Sequence, residues 1–164
     1  MTKEKLKMGF EPVFDENSRI LILGSFPSVK SREVSFYYGN KQNRFWQTIC
    51  GFWCETIPKT IQEKIGFLLE RRIALWDTVS KCRIQGSADS SIEVEEVADL
   101  SQIFKVAKIE KVLLNGRLAY KLFEKYYGEF CLENGIVYKK MSSTSPANPR
   151  FSKEEWEIEL NDLR

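Results

Sequence analysis

The chain has 164 residues, 43% hydrophobic and 13% aromatic, enough for one domain that buries roughly two thirds of its unfolded-chain surface. A two-domain layout and a disordered chain are both excluded. Lys and Arg number 25 against 23 Asp and Glu, a formal charge of +2 that neither demands nor excludes a nucleic-acid partner. Histidine is absent, which removes Ser-His and Cys-His hydrolases, histidine-ligated zinc and HExxH proteases.

Residues 1–10 mix lysines with a few apolar residues and hold no signal-peptide core. No later run reaches the length of a membrane span, so a cytoplasmic (or nucleoid-associated), unsecreted protein is expected. Residues 19–24, RILILG, form a short apolar run ending in glycine, which predicts a buried strand. Residues 44–53 place Phe45, Ile49, Phe52 and Trp53 at helical spacing. Pro58 suits the start of the next helix, with Ile61, Ile65 and Leu68 as its apolar stripe.

Residues 73–77 read as a second strand, and Val97, Leu100, Ile103, Phe104 and Ala107 as one face of a helix. Residues 109–114 predict a third strand, followed by a helix with Leu118, Leu122, Phe123 and Tyr126 inward and Gly128 as its stop. Residues 136–141 give a fourth strand. Ser152 with Glu155 forms a capping box for a last helix that buries Trp156, Leu160 and Leu163. Cys50, Cys54, Cys82 and Cys131 include no tight CxxC pair and read as reduced, buried thiols; neither metal nor cofactor is expected.

Strands alternating with helices predict an α/β fold with a parallel sheet covered on both faces. Such sheets bind ligands at the C-terminal ends of their strands, so the segments after each strand carry the function. After the first strand comes Gly24-Ser25-Phe26-Pro27-Ser28 and a long stretch to Asn43. It joins aromatics (Phe36, Tyr37, Tyr38), amides (Asn40, Gln42, Asn43) and the cations Lys30, Arg32, Lys41 and Arg44. Stacking surfaces, amides and phosphate-neutralising charge together suit a flipped or single-stranded base.

Asp77 closes the second strand, where it can orient a catalytic group or hold the loop. Residues 86–91, GSADSS, can be a turn and helix cap. Asn115 opens the helix after the third strand, as an N-cap or as an amide facing a base edge. Residues 142–150, SSTSPANPR, offer hydroxyls and backbone amides for phosphate in a loop stiffened by two prolines.

In one order along nearly the whole chain, these segments resemble the uracil-DNA glycosylase superfamily, closest to its hypoxanthine (deoxyinosine) DNA glycosylase branch. The likeness rests on residues 22–28 (ILGSFPS), 36–39 (FYYG), 42–46 (QNRFW), 75–77 (LWD), 86–91 (GSADSS), 114–116 (LNG) and 143–148 (STSPAN). It implies a three-layer α/β/α sandwich around a four-stranded parallel sheet, one domain over 1–164, and base excision from damaged DNA. Uracil-specialised relatives carry Asp or Asn just after the first strand, where this chain has Gly-Ser-Phe-Pro-Ser. The cysteine spacings do not match those of the cluster-binding relatives.

The resemblance implies Asn43 as the catalytic amide, with Asn40 or Asp77 as the alternative, and Asn115 as the second. In the mechanism expected from these segments, Phe26 with Phe36 or Tyr38 stacks on the base and Asp77 lies beside it. Ser25, Ser28, Ser143, Ser145, Pro146 and Arg150 fall to the DNA backbone. The expected chemistry is base flipping and water attack at C1′ by a monofunctional, monomeric enzyme. Two other readings stay open: a catalytically inactive nucleic-acid-binding module of the same fold, and a nucleoside or nucleotide hydrolase.

Overall fold

Two apolar runs of the chain, residues 20–24 and 73–77, pair side by side as parallel strands. In a computed structural model, which describes residues 5–27, 29–34, 36–84 and 93–164, the elements follow the order β1 (Lys5–Met8), β2 (Ile20–Gly24), α1 (Val29–Val34), α2 (Phe45–Phe52), α3 (Ile61–Glu70), β3 (Ile73–Asp77), β4 (Val79–Ile84), β5 (Glu93–Val97), α4 (Ser101–Phe104), β6 (Lys111–Asn115), α5 (Arg117–Asn134), β7 (Val137–Met141) and α6 (Lys153–Leu160). Every residue of β2 and β3 is buried, as expected for parallel strands covered on both faces.

The main sheet runs β3-β2-β6-β7, all parallel. Ile22 sits beside Leu75 on one side and Leu113 on the other. Helices pack around it: α3 on β3, α5 on β6 and β7, and α2 against α6. This is the α/β arrangement expected from the alternation of strands and helices. No helix among the described residues is long and apolar enough to cross a membrane.

A second sheet, β1-β4-β5, is antiparallel and was not expected. Its strands are short and charge-rich (KLKM, VSKCRI, EVEEV), so none shows an apolar run. Register supplies what composition hides: Lys81 lies opposite Glu96, with their charged groups 3.5 Å apart, and Arg83 opposite Glu93. Val79 and Cys82 are fully buried there, with Phe26, Val94 and Leu122 packed on them.

Several boundaries differ from the sequence reading. Pro58 lies outside α3, which starts after Thr60, whose side chain accepts from the Glu63 N–H. Val97 ends β5, and the helical stretch behind it shrinks to the single turn of α4. Gly128 does not stop α5, which continues to Gly135, a left-handed cap at φ +67°. At Gly128 an added Cβ would stand 3.3 Å from the Tyr138 hydroxyl, so glycine there serves helix-to-strand contact. Tyr126, expected inward, is 53% exposed, while Ala119, Phe123 and Cys131 form the buried face.

The α6 cap is half of the expected box. The Ser152 side chain accepts from the Glu155 N–H, but the Glu155 carboxylate accepts from the Ser142 N–H instead of closing on Ser152. Cys50, Cys82 and Cys131 are buried and Cys54 is exposed; burial pushes the Cys50 and Cys131 thiols up to about 11.

Candidate active site

Strand β2 lies between β3 and β6, so the connections leaving β2 and β3 run to opposite sides of it. That reversal opens a crevice at the C-terminal end of β2. A cleft of about 660 Å³ occupies that place, and its floor is the last residue of each of the three strands: Gly24, Asp77 and Asn115. The size suits a small-molecule or base pocket.

Glycine is required at position 24 by crowding. A Cβ there would stand 2.6 Å from Asp77 Oδ1 and 3.0 Å from the Tyr38 hydroxyl. Asp77 is 4% exposed yet lines the cleft, and Thr78 beside it is tied to the Gly24 carbonyl through both its N–H and its hydroxyl. Burial, then the Asp77 charge, raises the Tyr38 hydroxyl far above its ordinary value, against a hydrogen bond from Asn115. The Tyr37 hydroxyl is raised for the same two leading reasons. Both phenols are therefore neutral at any working pH.

Tyr38 reaches the cleft from a left-handed backbone position, φ +54°, uncommon for a bulky residue. Its ring stacks on Phe45 with centroids 4.1 Å apart, and its hydroxyl accepts from Asn115 Nδ2 at 3.1 Å. Asn115 Nδ2 also donates to Thr144 Oγ1 at 2.9 Å, and its Oδ1 accepts from the Thr144 N–H at 3.0 Å. The amide thus clamps the aromatic loop and the 143–148 loop to the end of β6. It is not the helix cap: Gly116 takes that position at φ +100°, and glycine has no side chain to cap with.

The entry to the 143–148 loop is fixed by α6 and its cap. Ser142 donates its N–H to Glu155, accepts from Trp156 Nε1 on its carbonyl, and accepts from the Ser152 N–H on its hydroxyl. Within the loop, Ser143 Oγ accepts from the Ser145 N–H, Ser145 Oγ from the Ala147 N–H, and Asn148 Nδ2 donates to the Ser143 carbonyl. Hydroxyls bonded back to the local backbone in this way stiffen a turn.

Asn43 stands at the start of α2 in the cleft wall. Its Oδ1 accepts from the Phe45 N–H at 2.9 Å, which fixes the amide plane, while Nδ2 makes no hydrogen bond among the described residues. The cleft therefore joins a fixed amide, a buried carboxylate, aromatic walls and a hydroxyl-rich loop.

The structure brings Ser25, Phe26, Tyr38, Asn43, Asp77, Asn115, Ser143, Ser145 and Pro146 to the cleft lining. Phe36 is not there. It is 6% exposed, stacked on Trp46 and edge-on to Tyr37, a core ring. Arg150 is exposed and outside the lining, with its backbone N–H on Asn148. Arg44 is not a free phosphate neutraliser, since its guanidinium is bonded to loop carbonyls. Ser28, residues 86–91 and the Lys30 side chain lie outside the described residues.

Sequence reasoning missed Thr144, 1% exposed and bonded to Asn115, whose hydroxyl is indistinguishable in sequence from its serine neighbours. It also missed Arg117, an exposed cation at the cleft edge in the first turn of α5. Its position directly after Asn115-Gly116 was the available signal. The stretch after β2 is not a continuous loop either, since α1 interrupts it and Ser31 Oγ accepts from the Gly39 N–H.

Residues 11–163 match the family model of the uracil DNA glycosylase superfamily. A protein named hypoxanthine DNA glycosylase from Methanosarcina acetivorans is 39% identical over 157 residues, spanning 93% of this chain and 96% of its own. A second of that name, from Methanosarcina barkeri, is 33% identical over 90% of this chain and 91% of its own. A solution NMR structure of a candidate uracil DNA glycosylase from Methanosarcina acetivorans superposes with a TM-score of 0.82 at 36% identity, covering 97% of this chain and 99% of that one. Sequence and fold agree, and the chain belongs to the uracil DNA glycosylase superfamily.

Proposed function

We propose that this DNA glycosylase releases hypoxanthine from deoxyinosine in damaged DNA by hydrolysis alone, acting as a monomer without a cofactor. One observation carries the reading: the ends of β2, β3 and β6 bring Gly24, Asp77 and Asn115 into a single cleft with Tyr38 and Asn43. The names of the two Methanosarcina relatives support the choice of hypoxanthine.

A base buried in a duplex is reached by flipping it out of the stack. Phe26 and Tyr38 supply the aromatic faces. Deamination of adenine replaces an acceptor nitrogen on the base edge with a lactam N–H. The Asp77 carboxylate accepts from such an N–H and repels the lone pair that adenine presents there. Uracil and xanthine carry the same donor, so they are the expected secondary substrates.

Bond breaking leads. The glycosidic bond opens with its electron pair leaving on the base, the sugar acquires oxocarbenium character, and water adds at C1′. An amide is a poor base, so Asn43 orients the water through the remaining lone pair of Oδ1 and its Nδ2–H, and does not deprotonate it. The water's proton passes to the departing base or to solvent. Among the described residues, the side-chain nitrogen groups lining the cleft are the amides of Asn40, Asn43, Asn115 and Asn148 and the guanidinium of Arg117. None forms a Schiff base, which supports hydrolysis without a lyase step. Ser25, Ser143 and Ser145, with the Pro146 turn, hold the DNA backbone.

The test is single-turnover cleavage of end-labelled duplexes carrying hypoxanthine or uracil, with alkali to reveal abasic sites. Hypoxanthine release that falls about a hundredfold or more in Asn43→Ala is expected. Duplex binding without release overturns the enzymatic reading in favour of a binding module. Release of uracil alone reverses the specificity, and a borohydride-trapped adduct overturns the monofunctional mechanism.

A further inference from the structure

We propose that Arg44 is a positioning residue that latches the 143–148 loop onto the start of α2, holding the Ser143 and Ser145 hydroxyls at a fixed place beside Asn43. The inference rests on the reading of the cleft as a glycosylase active site.

The Arg44 guanidinium is committed inside the protein. Its Nη2 donates to the carbonyls of Ser145 at 2.5 Å and Asn148 at 2.7 Å, so one nitrogen bridges the two ends of the Pro146 turn. The same guanidinium lies 4.5 Å over the Phe151 ring, beyond the exit of the loop. The Arg44 backbone N–H donates to the Thr144 carbonyl at 3.0 Å, and the Arg44 carbonyl accepts from the Thr48 N–H in α2. Arg44 Nε is buried without a hydrogen-bond partner among the described residues, a cost borne by holding the group here.

Three loop carbonyls are thus tied to a residue whose predecessor, Asn43, is separately fixed by its bond to the Phe45 N–H. Charged donors make the stronger bonds, and the planar guanidinium meets carbonyls and ring face together in a way an ammonium does not. Loosening the latch weakens the grip on DNA and leaves the Asn43 amide in place.

The experiment compares the full chain with Arg44→Met and with Phe151→Leu, which removes the stacking face and keeps the arginine. Amide hydrogen exchange at Thr144, Ser145 and Asn148 is expected to quicken about tenfold to a hundredfold in Arg44→Met, while β6 is unchanged. Phe151→Leu moves the same amides in the same direction by less, and decides the matter alone if Arg44→Met does not fold. KM for a hypoxanthine-containing duplex rises by a similar factor, with kcat within about threefold. The salt slope of duplex binding stays that of the parent.

Unchanged loop exchange overturns the latch. A slope lower by about one unit also overturns it, because that marks a lost phosphate contact, as does a fall in kcat at constant KM. If the parent chain releases no base, the glycosylase reading fails, while exchange and salt slope still decide the latch.

Discussion

At the scale of single residues, the cleft works by assigning polar groups to different duties. Asn115 commits both Nδ2 hydrogens to Tyr38 and Thr144 and one Oδ1 lone pair to the Thr144 N–H, while Asn43 spends one lone pair on the Phe45 N–H. Asp77 sits where only a glycine neighbour leaves room for its carboxylate. Replacing Asp77 with Asn trades an acceptor for a group that also donates. Asp77→Asn is expected to slow hypoxanthine release roughly tenfold to a hundredfold and to narrow the preference over adenine. Parallel single-turnover rates on the two bases measure it, and an unchanged ratio removes Asp77 from base selection.

At the scale of elements, short helices depend on their ends and on what those ends hold. The α6 helix begins at Ser152, whose side chain accepts from the Glu155 N–H at 3.4 Å, while Glu155 reaches back to the loop. Ser152→Ala removes the cap but keeps the backbone N–H that bonds Ser142 Oγ. A loss of about 1 kcal/mol or less is expected, or a Tm lower by about 2–4 °C. Calorimetry reads it, and base release stays near that of the parent because the loop anchors survive.

At the scale of the whole molecule, β6, β7 and α6 are joined by a half-sunken charge network. Glu159 is 5% exposed and accepts from Lys111 at 3.2 Å and Lys139 at 2.7 Å; Lys111 also donates to Asp162 at 2.6 Å. Burial raises the Glu159 carboxyl, but the two lysines outweigh it and hold it below its ordinary value. Burial lowers Lys111, but Asp162 and Glu159 outweigh that and raise it. A lowered carboxyl stabilises fully above its unfolded value and loses that contribution as pH falls through the folded one. A raised lysine stabilises fully below its unfolded value and loses it as pH rises through the folded one. Stability therefore declines below about pH 4 and again above about pH 10. In Glu159→Gln the neutral-pH Tm is lower and the acid decline shallower, which thermal melts across pH 3 to 7 would show; parallel curves remove Glu159 from the acid response.

The main sheet was legible in the sequence because its strands are continuous apolar runs, and nearly every cleft segment was legible because it follows one of them. Residues 73–77 match β3 end to end, and residues 20–24 of the first expected strand form β2. What periodicity does not carry is pairing. The β1-β4-β5 sheet is made by cross-strand register between short charged segments. Gly128 sits inside a helix with Tyr138 against it, and Phe36 belongs to the core, stacked on Trp46. Local hydrophobic pattern was enough to specify the parallel sheet, and the ordered motifs were enough to specify the family. Which of several like residues face the cleft and which brace it was set by packing: Tyr38 against Phe36, Thr144 against its serine neighbours, and Arg44 turned inward to the loop. Those choices depend on contacts between residues far apart in the chain.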